Sequence, residues 1–277
     1  MKEQVVVVTG GTSGIGRAIA ERFLREGACV VIGSTEPGSG DFPFGIERAT
    51  FVLTDVRKEN DVERLIAATL DRHGRLDIMV NNAGVSGVAG NISELPGDGI
   101  RDTEEVLFNG VVHGMKHASR AMLQKSAGSI INIASITGLA TYMNAAHIYS
   151  AMKAAVIQLT KTAALELGPS GIRVNCICPG YIATPIFGTH LGYHDEKRAL
   201  SVEVCKTLFR DLQPIRRSGL PEDIANAAKW LASTEASFVN GHALVVDGGA
   251  SCGVGWDPGA SRLGQLAAAI EAAERRL

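Results

Sequence analysis

Tyr149 and Lys153 stand four residues apart at the start of a run of good helix formers, Tyr149 to Leu167, so they share one helical face. A free phenol titrates near pH ~10, too high for an efficient base near neutrality. An ammonium held beside it favours phenolate and lowers that pKa. Such a phenol can take the proton of an alcohol or return it to a carbonyl oxygen. Ser135 ends the stretch Asn132-Ile133-Ala134-Ser135, directly after a β-like run from Ser129 to Ile133. A Tyr–Lys pair at helical spacing is ordinarily a surface or packing feature, so its meaning depends on what else the chain brings to it. His147, two residues before Tyr149, reads equally well as a pocket residue or as a cap of the helix start. His113 and His117 have metal-ligand spacing but no third ligand nearby, and no metal site is expected.

A second group of residues has the chemistry of anion binding. The wholly apolar run Val5 to Val8 leads into Thr9-Gly10-Gly11-Thr12-Ser13-Gly14-Ile15-Gly16, and a helical pattern follows from Arg17 to Glu26. Glycines between a buried strand and a helix let backbone N–H groups approach a pyrophosphate, and the helix N-terminus favours its charge. A nucleoside-triphosphate loop is excluded, because no Lys-Ser/Thr pair follows the last glycine.

The elements that must position these residues alternate. Strand-like runs fall at Val5–Val8, Cys29–Ile32, Phe51–Leu53, Ile78–Val80, Ser129–Ile133, Arg173–Ile177 and Ala243–Val246. Helical patterns fall between them at Arg17–Glu26, Val62–Leu70, Glu104–Met122 (interrupted around Gly110 and Gly114), Tyr149–Leu167 and, opened by Pro221, Glu222–Ala232. This order predicts a three-layer α/β fold: one Rossmann-type, doubly wound parallel sheet in a single domain over residues 1–277. Two stretches break the alternation. Gly33–Arg48 reads as a long surface loop where a crossover helix is expected. Residues 180–213 read as a substrate loop, with a helix at Glu196–Phe209. A tail from Gly253 is glycine-rich, then helix-prone from Leu266 to Leu277.

Bulk composition narrows the partners. With 277 residues, 45% hydrophobic, 20% charged and a net charge of −2, the chain can build a large core. It gives no electrostatic reason to expect nucleic acid or an acidic membrane. No apolar stretch reaches membrane-spanning length, and the start of the chain lacks the pattern of a secretory leader. The five cysteines (Cys29, Cys176, Cys178, Cys205, Cys252) are scattered without a metal or redox spacing. The expectation is a cytoplasmic protein with unpaired thiols.

Taken together, the motifs resemble the short-chain dehydrogenase/reductase family: Thr9-Gly10…Gly14-Ile15-Gly16, Asn81-Asn82-Ala83-Gly84, Tyr149…Lys153, Pro179-Gly180 with Thr184, and Asp247-Gly248-Gly249, in the family's order. The resemblance implies an oxidoreductase that moves hydride between a nicotinamide cofactor and a secondary alcohol/ketone pair. It assigns Ser135, Tyr149, Lys153 and Asn109 to catalysis, Ser135 bonding the substrate oxygen and Asn109 holding a water linked to Lys153. It assigns Gly10, Thr12, Ser13, Gly14, Ile15 and Gly16 to the pyrophosphate and adjacent ribose. Asp55 and Val56 go to the adenine edge, with a helix cap as the alternative for Asp55. Asn82, Ala83 and Gly84 go to the ribose and the sheet. Tyr149 and Lys153 also reach the cofactor, and Pro179, Gly180, Ile182 and Thr184 flank the nicotinamide. Where NAD-binding relatives carry an aspartate after the second strand, Ser34 stands here. No Lys or Arg lies between Arg25 and Arg48 to meet a 2′-phosphate, so NAD is favoured over NADP unless Arg17 or Arg48 folds back. Residues 140–147 and 181–191, with Met143, Ile186, Phe187 and Leu191, suggest a neutral, fairly apolar small-molecule substrate. The family's habit implies a homo-oligomer, a tetramer or dimer, using the 104–122 and 149–167 helices. A cofactor-sensing binding protein is disfavoured by the intact Ser/Tyr/Lys set. Nucleotide-sugar chemistry is disfavoured by the lack of room for a substrate domain.

Overall fold

A computed structural model gives the architecture, and describes residues 1–38, 48–141 and 146–253, with isolated helical positions between 266 and 275. Seven parallel strands form one sheet: β1 (Val5–Thr9), β2 (Cys29–Ser34), β3 (Ala49–Leu53), β4 (Ile78–Asn81), β5 (Gly128–Ile133), β6 (Ile172–Pro179) and β7 (Ala243–Val246). Their spatial order is β3-β2-β1-β4-β5-β6-β7. The order reverses between β1 and β4, and ligands in such sheets bind beyond the strand ends at that switch.

Alternation in β1 shows why these residues choose a doubly covered sheet. Val6 and Val8 enter a core with α1 (Gly14–Arg25) and α8 (Pro221–Ala232). Val7 faces the opposite core, formed with α2 (Glu59–His73), α4 (Gly110–Leu123) and α5 (His147–Leu167). Both faces of the central strands are therefore apolar, and Val6, Val7 and Val8 are fully buried. The predicted three-layer parallel fold is the one observed.

Several elements differ from the sequence pattern. The helix expected from Glu104 begins seven residues earlier, as α3 (Gly97–Glu104), and joins α4 through a π turn at Glu105–Asn109. Gly114 does not interrupt it: the helix runs straight through, and the missing side chain makes room for Asn81. The substrate loop folds into a short helix, α6 (Ile186–His190), and a longer one, α7 (Asp195–Leu208). Of the loop expected over 33–48, residues 39–47 lie outside the described residues, as do Met143 and most of the tail beyond Gly253.

Candidate active site

The glycine turn after β1 is held open by a side chain from the neighbouring strand. Gly10 (φ +63°) and Gly14 (φ +52°) take left-handed backbone conformations that other residues avoid. Asn82 donates from Nδ2 to Thr9 O at 2.9 Å and to Gly10 O at 3.1 Å. The backbone N–H groups of Asn82 and Ala83 both reach Thr9 Oγ1 at 3.1 Å. The Asn82 side chain thus braces the cradle. A methyl carbon on Gly16 would overlap Gly10 O and Asn82 Nδ2, and one on Gly10 would lie 2.8 Å from Ala83 Cα. At Ser13 the helix N-cap makes no side-chain cap bond and the first turn of α1 carries no acid. Its leading N–H groups are therefore left for an anion. Thr184 packs over the turn, its Cβ 3.5 Å from where a Gly14 side chain would begin.

At the adenosine end, Thr12 Oγ1 lies 3.0 Å from Ser34 Oγ. Asp55 is engaged by Arg57, which donates from Nε and Nη2 at 2.9 and 2.7 Å. That guanidinium holds the Asp55 carboxyl below its ordinary range. Asp55 does not cap the next helix; Asp61 reaches back to accept from the Asp55 N–H at 3.1 Å. Val56 is buried against Gly110, and its carbonyl lies 2.9 Å from His113 Nδ1. A carbonyl only accepts, so the ring N–H donates there. His117 Nε2 and Lys116 Nζ both meet Glu59, at 3.1 and 2.6 Å. His113 ties α4 to the loop after β3 and His117 ties it to the start of α2, and among the described residues they join no metal-binding group.

Ser135 and Lys153 meet where β5 ends against α5. The turn after Ser135 can lie directly on the helix because Gly138 has no side chain: a Cβ there would sit 2.7 Å from the Lys153 carbonyl carbon. Lys153 is 4% exposed. Its Nζ donates to Ile133 O at 2.7 Å and stands 5.6 Å from the centre of the Tyr149 ring. Burial pulls its ammonium down to about 8, only partly opposed by the Cys178 and Cys176 thiols beneath it. The expected lowering of the Tyr149 pKa is not what the protein alone produces. Burial raises it, and a hydrogen bond with Ser135 pulls back the other way.

Asn109 closes the π turn, one residue before α4. Ile182 and Thr184 are buried, and Ile182 bridges Gly219. Gly180 donates to Val246 O at 3.0 Å. His147 is the first residue of α5 and is exposed; the N-cap is Ala146, without a side-chain cap bond. Over the cleft, Phe209 is contacted by Phe187 edge-on at 5.1 Å and by Tyr181 at 5.6 Å, which pins the end of α7 to the loop after β6. A cavity of about 330 Å³ lies at the base of this lid, among Tyr181, Gln213, Ile215 and Gly248.

A family profile described as Enoyl-(Acyl carrier protein) reductase matches residues 10–251. The chain belongs to the short-chain dehydrogenase/reductase family. This dehydrogenase/reductase is 39% identical over 251 residues to cis-4-hydroxycyclohexanecarboxylate dehydrogenase of Sinomonas cyclohexanicum, covering 89% of this chain and 96% of that one. It is 40% identical over 264 residues to L-fucose dehydrogenase of Mus musculus, covering 95% and 94%. Its fold matches the ligand-free aldohexose dehydrogenase of Thermoplasma acidophilum with a TM-score of 0.81 at 33% identity, covering 92% and 97%. As a short-chain dehydrogenase/reductase, it uses a nicotinamide cofactor and moves hydride between that cofactor and a secondary alcohol/ketone pair. Among the described residues no helix is long and apolar enough to cross a membrane.

Two features of this dehydrogenase/reductase escaped the sequence. Thr137 donates to Ser135 Oγ from both its backbone N and its Oγ1, at 3.2 and 3.0 Å. Beneath the site runs a buried polar chain in which Asn81 Nδ2 donates to Asn132 Oδ1 at 2.8 Å and Asn132 Nδ2 to Thr160 Oγ1 at 2.9 Å. Asn81 and Asn132 could be noticed only as polar residues in apolar strands; nothing in their spacing names their partners.

Proposed function

We propose that the enzyme interconverts a neutral, fairly apolar, ring-borne secondary alcohol and its ketone, using NAD(H). The observation that carries this reading is the gathering of Ser135, Tyr149 and Lys153 at the end of β5, one strand from the braced glycine turn. Gly10, Thr12, Ser13, Gly14, Ile15 and Gly16 hold the pyrophosphate side of the cofactor, and Val56, Ala83 and Gly84 its adenosine side. Pro179, Gly180, Ile182 and Thr184 flank the ring. When bound, the dinucleotide supplies the hydride acceptor or donor.

The chain's own groups handle the proton. Ser135 gives a hydrogen bond to the substrate oxygen, Tyr149 takes the alcohol proton or returns it, and Lys153 supplies a nearby positive charge. Burial raises the phenol, so a cationic nicotinamide is the further charge that would favour phenolate during oxidation. Asn109, at the end of the π turn, would hold a water on the way to Lys153.

Support for NAD over NADP comes from the charges. Arg17 pairs with Glu21 at 2.8 Å and Arg48 donates to Gly27 O, while no Lys or Arg stands between positions 26 and 47. A 2′-phosphate would find no fixed cation beside Ser34. The ring is supported by the relatives, which include a hydroxycyclohexanecarboxylate dehydrogenase and sugar dehydrogenases, and the apolar character by Ile186 and Phe187 in the segment after β6. We further infer a homo-oligomer joined through α4 and α5, where Leu165 is 79% exposed; sedimentation tests it.

The deciding experiment is a panel of cyclohexanols, sugars and acyl or phosphorylated carbonyls run with NAD and NADP in parallel, following the reduced nicotinamide. Turnover of cyclic neutral alcohols with NAD, lost in Tyr149→Phe, is expected. Activity confined to acyl-carrier or phosphorylated substrates refutes the substrate class.

A further inference from the structure

Ser135 has one proton and two lone pairs to offer. Its own turn occupies both lone pairs. The backbone N–H of Thr137 donates to Ser135 Oγ at 3.2 Å, and the Thr137 hydroxyl donates to the same oxygen at 3.0 Å. Both residues are 7% exposed, so water does not compete freely for these bonds. Rotation of the turn is opposed from below by Gly138 packed against the Lys153–Ala154 backbone. The hydrogen-bonding capacity Ser135 has left is its O–H, and Ser135 acts to lower the Tyr149 pKa.

We propose that Thr137 is a positioning residue that makes Ser135 an obligate hydrogen-bond donor. The inference deepens the catalytic reading above and rests on it. A serine free to accept could take the proton of a substrate alcohol into a hydrogen bond and turn that proton away from Tyr149. With both lone pairs filled, Ser135 can only donate to the substrate oxygen. The alcohol O–H bond then has a single acceptor in the site, the Tyr149 oxygen: as that bond breaks, the proton goes to the phenolate, and the electron pair left on oxygen forms the carbonyl as hydride departs to the nicotinamide. In the absence of substrate Ser135 also opposes the effect of burial on the phenol.

The test is Thr137→Val, which keeps shape and the backbone donor but removes the hydroxyl, set beside Thr137→Ser, which keeps the hydroxyl. Oxidation of a substituted cyclohexanol is followed across pH, and dinucleotide affinity is measured by nicotinamide fluorescence. For Thr137→Val, kcat is expected to fall about tenfold, the scale of one lost hydrogen bond. The ascending, acid-side limb of its pH profile, which follows phenolate formation, moves to higher pH while dinucleotide affinity stays at the wild-type level. Thr137→Ser restores both rate and profile. If Thr137→Val does not fold, Thr137→Ala reads the same two quantities. An unshifted profile with wild-type kcat overturns the inference, and so does failure of Thr137→Ser to rescue. Loss of turnover in Tyr149→Phe together with an unmoved Thr137→Val overturns this inference alone; retained turnover in Tyr149→Phe overturns the catalytic reading with it.

Discussion

One methyl group at Gly16 probes the cofactor cradle without changing charge. Its carbon would overlap Gly10 O and the Asn82 amide nitrogen, neither of which can retreat freely, because Asn82 is what holds the turn. Displacing Asn82 gives up its bonds to Thr9 O and Gly10 O. With about 1 kcal/mol for each bond and ~1–3 kcal/mol for overpacking, Gly16→Ala should cost about 4 kcal/mol of stability. In a chain of this size that lowers the melting temperature by about 10 °C. The displaced groups shape the cradle itself, so dinucleotide affinity should fall at least about tenfold, some ~1.4 kcal/mol. The assays are thermal unfolding and fluorescence titration with NADH. Asn82→Ala removes one of the two obstacles, so Gly16→Ala should cost less in that background than in the wild type. Wild-type melting and affinity in Gly16→Ala would refute the reasoning, as would strict additivity with Asn82→Ala.

Three further outcomes are expected. Lys153 is buried with its pKa lowered from 10.5 to about 8, so below pH 8 the folded state alone bears the cost of the buried charge, about 3 kcal/mol. That cost is relieved as pH rises from 8 towards 10.5. Lys153→Met should therefore abolish turnover yet raise the melting temperature of the cofactor-free protein at neutral pH, by an increment that fades in alkali. His113→Ala frees the Val56 carbonyl and should weaken NAD binding about fivefold, leaving binding of nicotinamide mononucleotide, which has no adenosine, unchanged. Lys116 and then His117 lower Glu59 from 4.5 to about 2. The stability this gives is complete above pH 4.5 and lost as pH falls towards 2. Glu59→Gln should thus melt lower than wild type at neutral pH and converge with it in acid melts.

Much of the fold was legible because each layer leaves a local mark. Val5–Val8 reads as a doubly buried strand, Gly27 and Gly74 mark helix ends, and the glycines at 10, 14 and 16 announce a turn. The Tyr149–Lys153 pair was legible because both sit on one helix. What was missed depends on contacts between distant segments. The start of α3 is masked by Gly97 and Gly99, poor helix formers; at Gly99 a side chain would collide with Val88. The pairing of Asp55 with Arg57, two residues on, is not obvious until the loop bends. Thr137 reads as a turn residue; its second bond to Ser135 exists only in three dimensions. The share of the Tyr149 pKa that comes from burial could not be seen because burial, unlike charge, cannot be counted along a chain.

The loop after β6 leans on the end of β7: Gly180 bonds Val246 and packs against Asp247, where a side chain would sit 2.6 Å from the Asp247 Cβ. Residues more than sixty positions downstream therefore fix the segment carrying Ile182 and Thr184. A chain cut before β7 would lack the strand against which this loop is seated, and is expected to bind the dinucleotide more weakly than the whole chain.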